Sequence, residues 1–225
     1  MFEEPMFEDR LDAARRLLDL LDRYRGSGAV VLGIPRGGVP MAALIAEGLG
    51  ADLDVLLVHK LPAPGNPEVA IGAVDETGRV WRHPAAQTLG VSEEYVAAQA
   101  RRELQRLEQR RERYSRGRPA IPLEGKTVIV VDDGVATGST LIAGLRAVRR
   151  MQPAKLVTAV GVAPTDTLQR LRDEADEVVC AYDTDRFYAV GAFFNNFAPV
   201  DDEEVTRLLE RRSTPSSPSK DSSYA

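Results

Sequence analysis

The chain has 225 residues, enough for one large domain or for a core with a substantial insertion. Hydrophobic residues make up 44% and charged residues 28%, so a core can form, and no apolar run approaches the length of a membrane span. With 34 acidic against 29 basic residues, the net charge of −5 argues against a nucleic-acid partner held by phosphate neutralisation. The single cysteine, Cys180, excludes an intrachain disulfide and a cysteine-rich zinc site and suits a cytoplasmic protein; its place after Val178 and Val179 reads as that of a buried small hydrophobe. The acidic N-terminus does not read as a signal peptide.

Residues 8–24 read as an amphipathic helix with Leu11, Ala14, Leu18 and Leu21 on one face, ended by the Gly/Ser-rich stretch 25–28. Phe7 and Arg10 at its start read as packing and surface residues. Residues 29–34 are the first apolar strand. It runs into Pro35-Arg36-Gly37-Gly38-Val39-Pro40 and a helix over 41–49. The two glycines allow close approach of backbone to a ligand, and Arg36 can clamp an anion; on these residues alone an ordinary turn with a solvated arginine fits equally well. Residues 53–59 read as the second strand, with Lys60 at its end. Neighbouring strand residues face opposite ways, so His59 and Lys60 cannot both point inward, and Lys60 is the better ligand candidate. Residues 61–68 carry three prolines and a glycine and read as an exposed loop, a potential lid. Residues 69–74 and 79–81 then read as strands around a turn.

Ser92 caps a long helix running to about Arg116, whose narrow apolar stripe is Val96, Ala100, Leu104, Leu107 and Tyr114. This stretch, 82–122, suits either a hood over a pocket or a dimer surface. Residues 127–131 are a continuously apolar, β-branched strand of the kind buried on both faces of a parallel sheet. Asp132 and Asp133 stand at its carboxyl end, where ligands of open α/β sheets bind. Then Gly134-Val135-Ala136-Thr137-Gly138-Ser139-Thr140 leads into a helix. A small, hydroxyl-rich loop of this kind can wrap a phosphate with backbone N–H groups and a helix N-terminus, aided by Thr137, Ser139 and Thr140. Two carboxylates beside such a loop suit vicinal hydroxyls, so a sugar phosphate fits. The loop is neither a Walker loop nor a dinucleotide fingerprint.

Strand and helix alternate through 139–151, 156–162, 164–175 and 177–181, which predicts parallel pairing with right-handed crossovers. The aromatic stretch 187–197 reads as half core and half pocket: Phe187, Tyr188, Phe193 and Phe194 are candidates for the wall of a base pocket. Asp201 or Asp202 caps a last helix to about Arg212. Residues 213–225 read as a disordered tail, leaving one domain over 1–212.

Residues 128–140 resemble the ribose-diphosphate (PRPP) binding signature of type I phosphoribosyltransferases. The resemblance implies a three-layer α/β fold, a parallel sheet flanked by helices, with 82–122 as an inserted helical and hairpin hood. It implies transfer of ribose 5-phosphate from PRPP to a nitrogenous base or amine, release of diphosphate, and Mg²⁺ as cofactor. Asp132 and Asp133 would then hold the ribose hydroxyls and the metal, and residues 134–140 the 5-phosphate. Arg36, Gly37, Gly38 and Lys60 would hold the diphosphate, so that Asp132, Asp133, Lys60 and Arg36 form the catalytic set. Family members acting on 6-oxopurines typically carry an Asp at the position of Ala136; alanine there lowers hypoxanthine, guanine and xanthine as acceptors. A cytoplasmic homodimer in nucleotide metabolism is the accompanying expectation, with no nucleic-acid or membrane partner. The competing reading is a non-catalytic PRPP- or nucleotide-binding regulator; a weaker third is hydrolysis of a phosphoribosyl compound.

Overall fold

The structure, a computed structural model, describes residues 6–211; the expected tail lies outside the described residues. The first half of the chain contains α1 (Arg10–Leu20), β1 (Val30–Gly33), α2 (Gly38–Leu49), β2 (Asp52–Val55), β3 (Val58–Ala63), β4 (Asn66–Asp75), β5 (Val80–Arg82), α3 (Pro84–Thr88) and α4 (Glu93–Ser115). The second half contains β6 (Thr127–Gly134), α5 (Ser139–Arg149), β7 (Lys155–Pro164), α6 (Thr165–Arg172), β8 (Glu177–Thr184) and α7 (Asp202–Arg211). Five strands form a parallel sheet in the order β2-β1-β6-β7-β8, with β6 at its centre. Alternate residues of β6 enter separate cores: Ile129 and Val131 pack with α1 and α2, while Val128 and Val130 pack with Leu141, Leu145 and Leu168 on the other face. This two-sided burial is why the strand reads as a continuous apolar run, and it confirms the expected sheet sandwiched between helical layers.

The second strand is shorter than its sequence suggests. β2 ends at Val55, and Val58 begins β3, which belongs to a separate antiparallel sheet, β3-β4-β5. The proline-rich stretch is therefore a hairpin and not an open loop. Pro62 is accommodated because β3 is an edge strand and its register shifts at that point, and Gly65, at φ +71°, supplies the turn. α4 lies across β3 and β4 and meets α7. Its N-cap is Ser92, whose hydroxyl accepts from the Tyr95 amide, and Tyr114 near its end is fully buried.

Arg111 fastens α4 to the parallel sheet. Its guanidinium donates to Asp54 Oδ1 of β2 at 2.6 Å, to both oxygens of Glu76 at 2.5 Å, and to the Val55 carbonyl at 3.0 Å. The arginine and both acids are largely shielded from water. Removing the cation would leave two carboxylates confined together, and breaking such a buried pair costs about 3–5 kcal/mol. We expect Arg111→Ala to lower the unfolding free energy read from urea denaturation by that order, and an unchanged value would show that α4 is held by apolar packing alone.

Candidate active site

β6 delivers Asp132 and Asp133 to the carboxyl edge of the sheet, with Asp132 still in register with Val160 of β7. The Asp133 amide donates to Asp132 Oδ1 at 3.0 Å, and Asp133 Oδ2 accepts from Arg10 Nε at 2.7 Å. Arg10 thus departs from its expected surface role. It opens α1, pairs with the second acid, donates from Nη1 to the Ala198 carbonyl at 2.7 Å, and lays its guanidinium 3.8 Å from the Phe197 ring centroid. Phe7, expected to pack, is buried against Phe194. The elements reaching the acid pair are therefore α1 and the strap around residues 193–198.

Burial, and next the Asp133 charge, raise the Asp132 carboxyl well above the usual carboxylate range; the Asp133 amide and the Arg10 charge only partly offset this. A folded pKa above the unfolded one means the native state binds the proton more tightly, so this contribution to stability is lost as pH rises through the folded value. An uncharged isostere escapes that loss. We expect ligand-free Asp132→Asn to melt above the wild type near neutral pH, with the gap closing as pH falls through the raised folded value and gone once pH is below about 3.9. A gap independent of pH would contradict the assignment.

The turn after β1 closes against the same acids. Gly38 is buried, and a Cβ there would lie 2.5 Å from the Val131 carbonyl and 3.1 Å from Asp132 Cα. A Cβ on Gly37 would fall on the Asp133 carboxylate, 3.1 Å from Arg10 Nε. Glycines are required here because two backbones and a carboxylate share one space. Arg36 is exposed at the lip of the turn.

The loop after β6 is anchored from behind. The Val135 amide donates to the Val162 carbonyl at 2.9 Å, Thr167 Oγ1 of α6 donates to the Ala136 carbonyl at 2.7 Å, and Arg170 of α6 donates to the Thr137 carbonyl. Gly138 takes φ +70° and α5 begins at Ser139. With the carbonyls tied to α6, the amides of residues 136–141 have no protein acceptor among the described residues, while Thr137 and Ser139 hydroxyls lie 3.2 Å apart. Thr140 is half-buried in the first turn of α5. Val190 packs directly on Gly134, where any Cβ would collide with it. The result is a row of free amides at the end of β6, next to two acids, of the kind that can cradle an anion.

Pairing, contacts and exposure place the other expected residues. Lys60 lies in β3 opposite Ala73. It takes the face of Val58, which packs beside Gly144 of α5, and not that of His59, whose Nε2 lies 3.4 Å from Glu103 of α4. Phe193 and Phe194 are core residues, 8% and 5% exposed, so they are not free faces of a base pocket. Phe187 stacks on Phe193, and Tyr188 is 87% exposed. Cys180 is half-buried, and burial pushes its thiol up to about 11, which leaves it a poor nucleophile. The sequence favours a surface place over a ligand role for Arg10, and Thr167 and Arg170 carry no motif there.

These features define an α/β protein whose ligand edge joins an acid pair to an amide-rich loop. The chain belongs to the phosphoribosyl transferase domain family, which matches residues 6–191. A Mycobacterium tuberculosis protein, provisionally named a phosphoribosyl transferase, is 42% identical over 207 residues, 92% of this chain and 47% of its own length. The chain therefore spans about half the length of the curated relatives it matches. The crystal structure of the TT1426 protein from Thermus thermophilus is 42% identical, with a TM-score of 0.83 over 92% of this chain and 99% of that one. Among the described residues no helix is long and apolar enough to cross a membrane.

Proposed function

We propose that this protein transfers ribose 5-phosphate from PRPP to a nitrogenous base or amine and releases diphosphate. The observation that carries the reading is the juxtaposition of Asp132 and Asp133 with the amides of residues 136–141 and the glycine turn at Gly37. The loop amides and the hydroxyls of Thr137, Ser139 and Thr140 hold the 5-phosphate. The acid pair accepts hydrogen bonds from the ribose hydroxyls, and the turn brings Arg36 and backbone amides toward the diphosphate. Breaking the bond from the ribosyl carbon to diphosphate leaves positive charge on the ribose, which the acid pair stabilises; the incoming nitrogen then forms its bond to that carbon. The protein's part is to position, to balance charge and to exclude water.

Mg²⁺ fits this donor set as a partner shared with the substrate. Asp132 and Asp133 supply two adjacent carboxylates; burial first and then the Asp133 charge raise the Asp132 carboxyl, and a bound cation would offset both. No group of three or more His, Cys, Asp or Glu side chains suited to a metal occurs among the described residues, so the remaining ligands would be water and phosphate oxygens, as is usual for Mg²⁺. When bound, the ion would neutralise charge on the diphosphate. Ala136 is exposed and carries no proton, which favours acceptors other than 6-oxopurines.

The test is PRPP-dependent diphosphate release across a panel of bases and amines with Mg²⁺. Release that depends on one acceptor establishes the transferase and names that acceptor. PRPP binding without release for any acceptor would favour the regulator reading.

A further inference from the structure

A second cleft, of about 350 Å³, opens between β3, α4 and the start of α7. Its cationic lining is Arg106, Arg110 and Arg113, which share one face of α4 at spacings of four and three residues. Its acidic lining is Glu103 and Asp202. Each acid is already matched by its own arginine. Buried Glu103 accepts from Arg106 Nη1 at 2.8 and 3.2 Å, and Asp202 accepts from Arg113 Nη1 at 2.5 Å and from the Tyr114 hydroxyl at 2.6 Å. Arg110 stands between these pairs and makes no hydrogen bond or ion pair among the described residues. Burial, aided by Arg110 and Arg106, outweighs the opposing pull of Glu103 and holds His59 below its usual value, so it adds little charge near pH 7. Arg36 extends the positive field from the β1 turn: its charge, like that of Arg110, acts against the burial that pushes the Tyr114 phenol up to about 12.

We propose that this cleft binds a small molecule through a phosphate or carboxylate group seated on Arg110, with Arg106 and Arg113 on either side. The guanidinium fork matches either oxyanion in bidentate fashion. The concavity and the net surplus of one cation set a small anion above a nucleic acid, whose backbone needs an extended basic track and not a single pocket in an acidic chain. The site gives the inserted helix a ligand of its own, apart from the acid pair, and its existence does not depend on PRPP turnover.

Inorganic phosphate titrated into the full chain labelled with ¹⁵N-arginine tests this. The Nε–Hε signals of Arg110 and Arg113, assigned through R110Q and R113Q, should shift together along a saturable curve. R110Q should weaken phosphate at the Arg113 signal by about tenfold or more, with R110K retaining part of the affinity. Malonate in place of phosphate separates the two sources, the tighter probe naming the ligand class. Because the Asp132→Asn, Asp133→Asn protein lacks the ribose acids, it should show the same Arg110 response. Signals that stay still with both probes, an affinity unchanged in R110Q, or a response lost with the two acids would each overturn the proposal.

Discussion

Asp132→Asn combined with Asp133→Asn should abolish measurable PRPP binding while leaving the fold intact. Asparagine keeps the shape of each side chain and removes the charge. A hydroxyl bound to a charged acceptor is worth about 1.5–3 kcal/mol, so losing two such bonds weakens affinity by roughly 10²–10⁴-fold. The metal that would share these carboxylates is lost with them, which adds to the effect. The Arg10–Asp133 pair loses its charge too, yet the Arg10 bond to Ala198 and its stacking on Phe197 persist, so α1 stays docked. Calorimetry on the double variant decides the matter, with its melting curve as the control for folding. Retained PRPP affinity in a folded double variant would remove these acids from the site.

Gly37→Ala should produce the second largest loss. The new methyl group falls on the Asp133 carboxylate, with Asp133 Cγ at 2.7 Å from the added carbon. Either the turn moves away from β6 or the carboxylate rotates off Arg10. Both outcomes separate groups that the proposed function assigns to the ribose and the diphosphate of one molecule. Overpacking of this sort costs about 1–3 kcal/mol of stability, and the misplaced acid should weaken PRPP by about tenfold or more. The variant should therefore fold, melt earlier and bind poorly. Gly50→Ala is the matched control, since a Cβ at Gly50 meets nothing within 4 Å even though its φ of +64° strains the backbone there as well. Equal PRPP affinity in the two variants would show that the glycine turn is not part of the site.

The parallel sheet was legible because burial on both faces forces an apolar, β-branched run, and Thr127 to Val131 carries nothing else. The acid pair and the loop were legible because they follow one another directly along the chain. Arg10 was not, since its partner lies 123 positions away and a single arginine at a helix start carries no local signal. The hairpin at residues 61–68 was misread because proline and glycine signal loops, yet an edge strand has a free side on which a missing N–H costs nothing. Phe193 and Phe194 look like any other pair of aromatics in sequence; only the packing of Phe7 and Phe187 upon them makes them core. The stripe on α4 predicted its buried side, while the arginines that flank the stripe acquired meaning only once β3 and α7 enclosed them.

Titration of PRPP with Mg²⁺ into the wild-type protein, followed by calorimetry, addresses the central claim most directly. A single saturable site per chain, lost in the double asparagine variant, is the predicted result. Absence of heat together with an unchanged melting temperature at saturating PRPP would contradict the account, because the acid pair and the amide loop would then be holding something else.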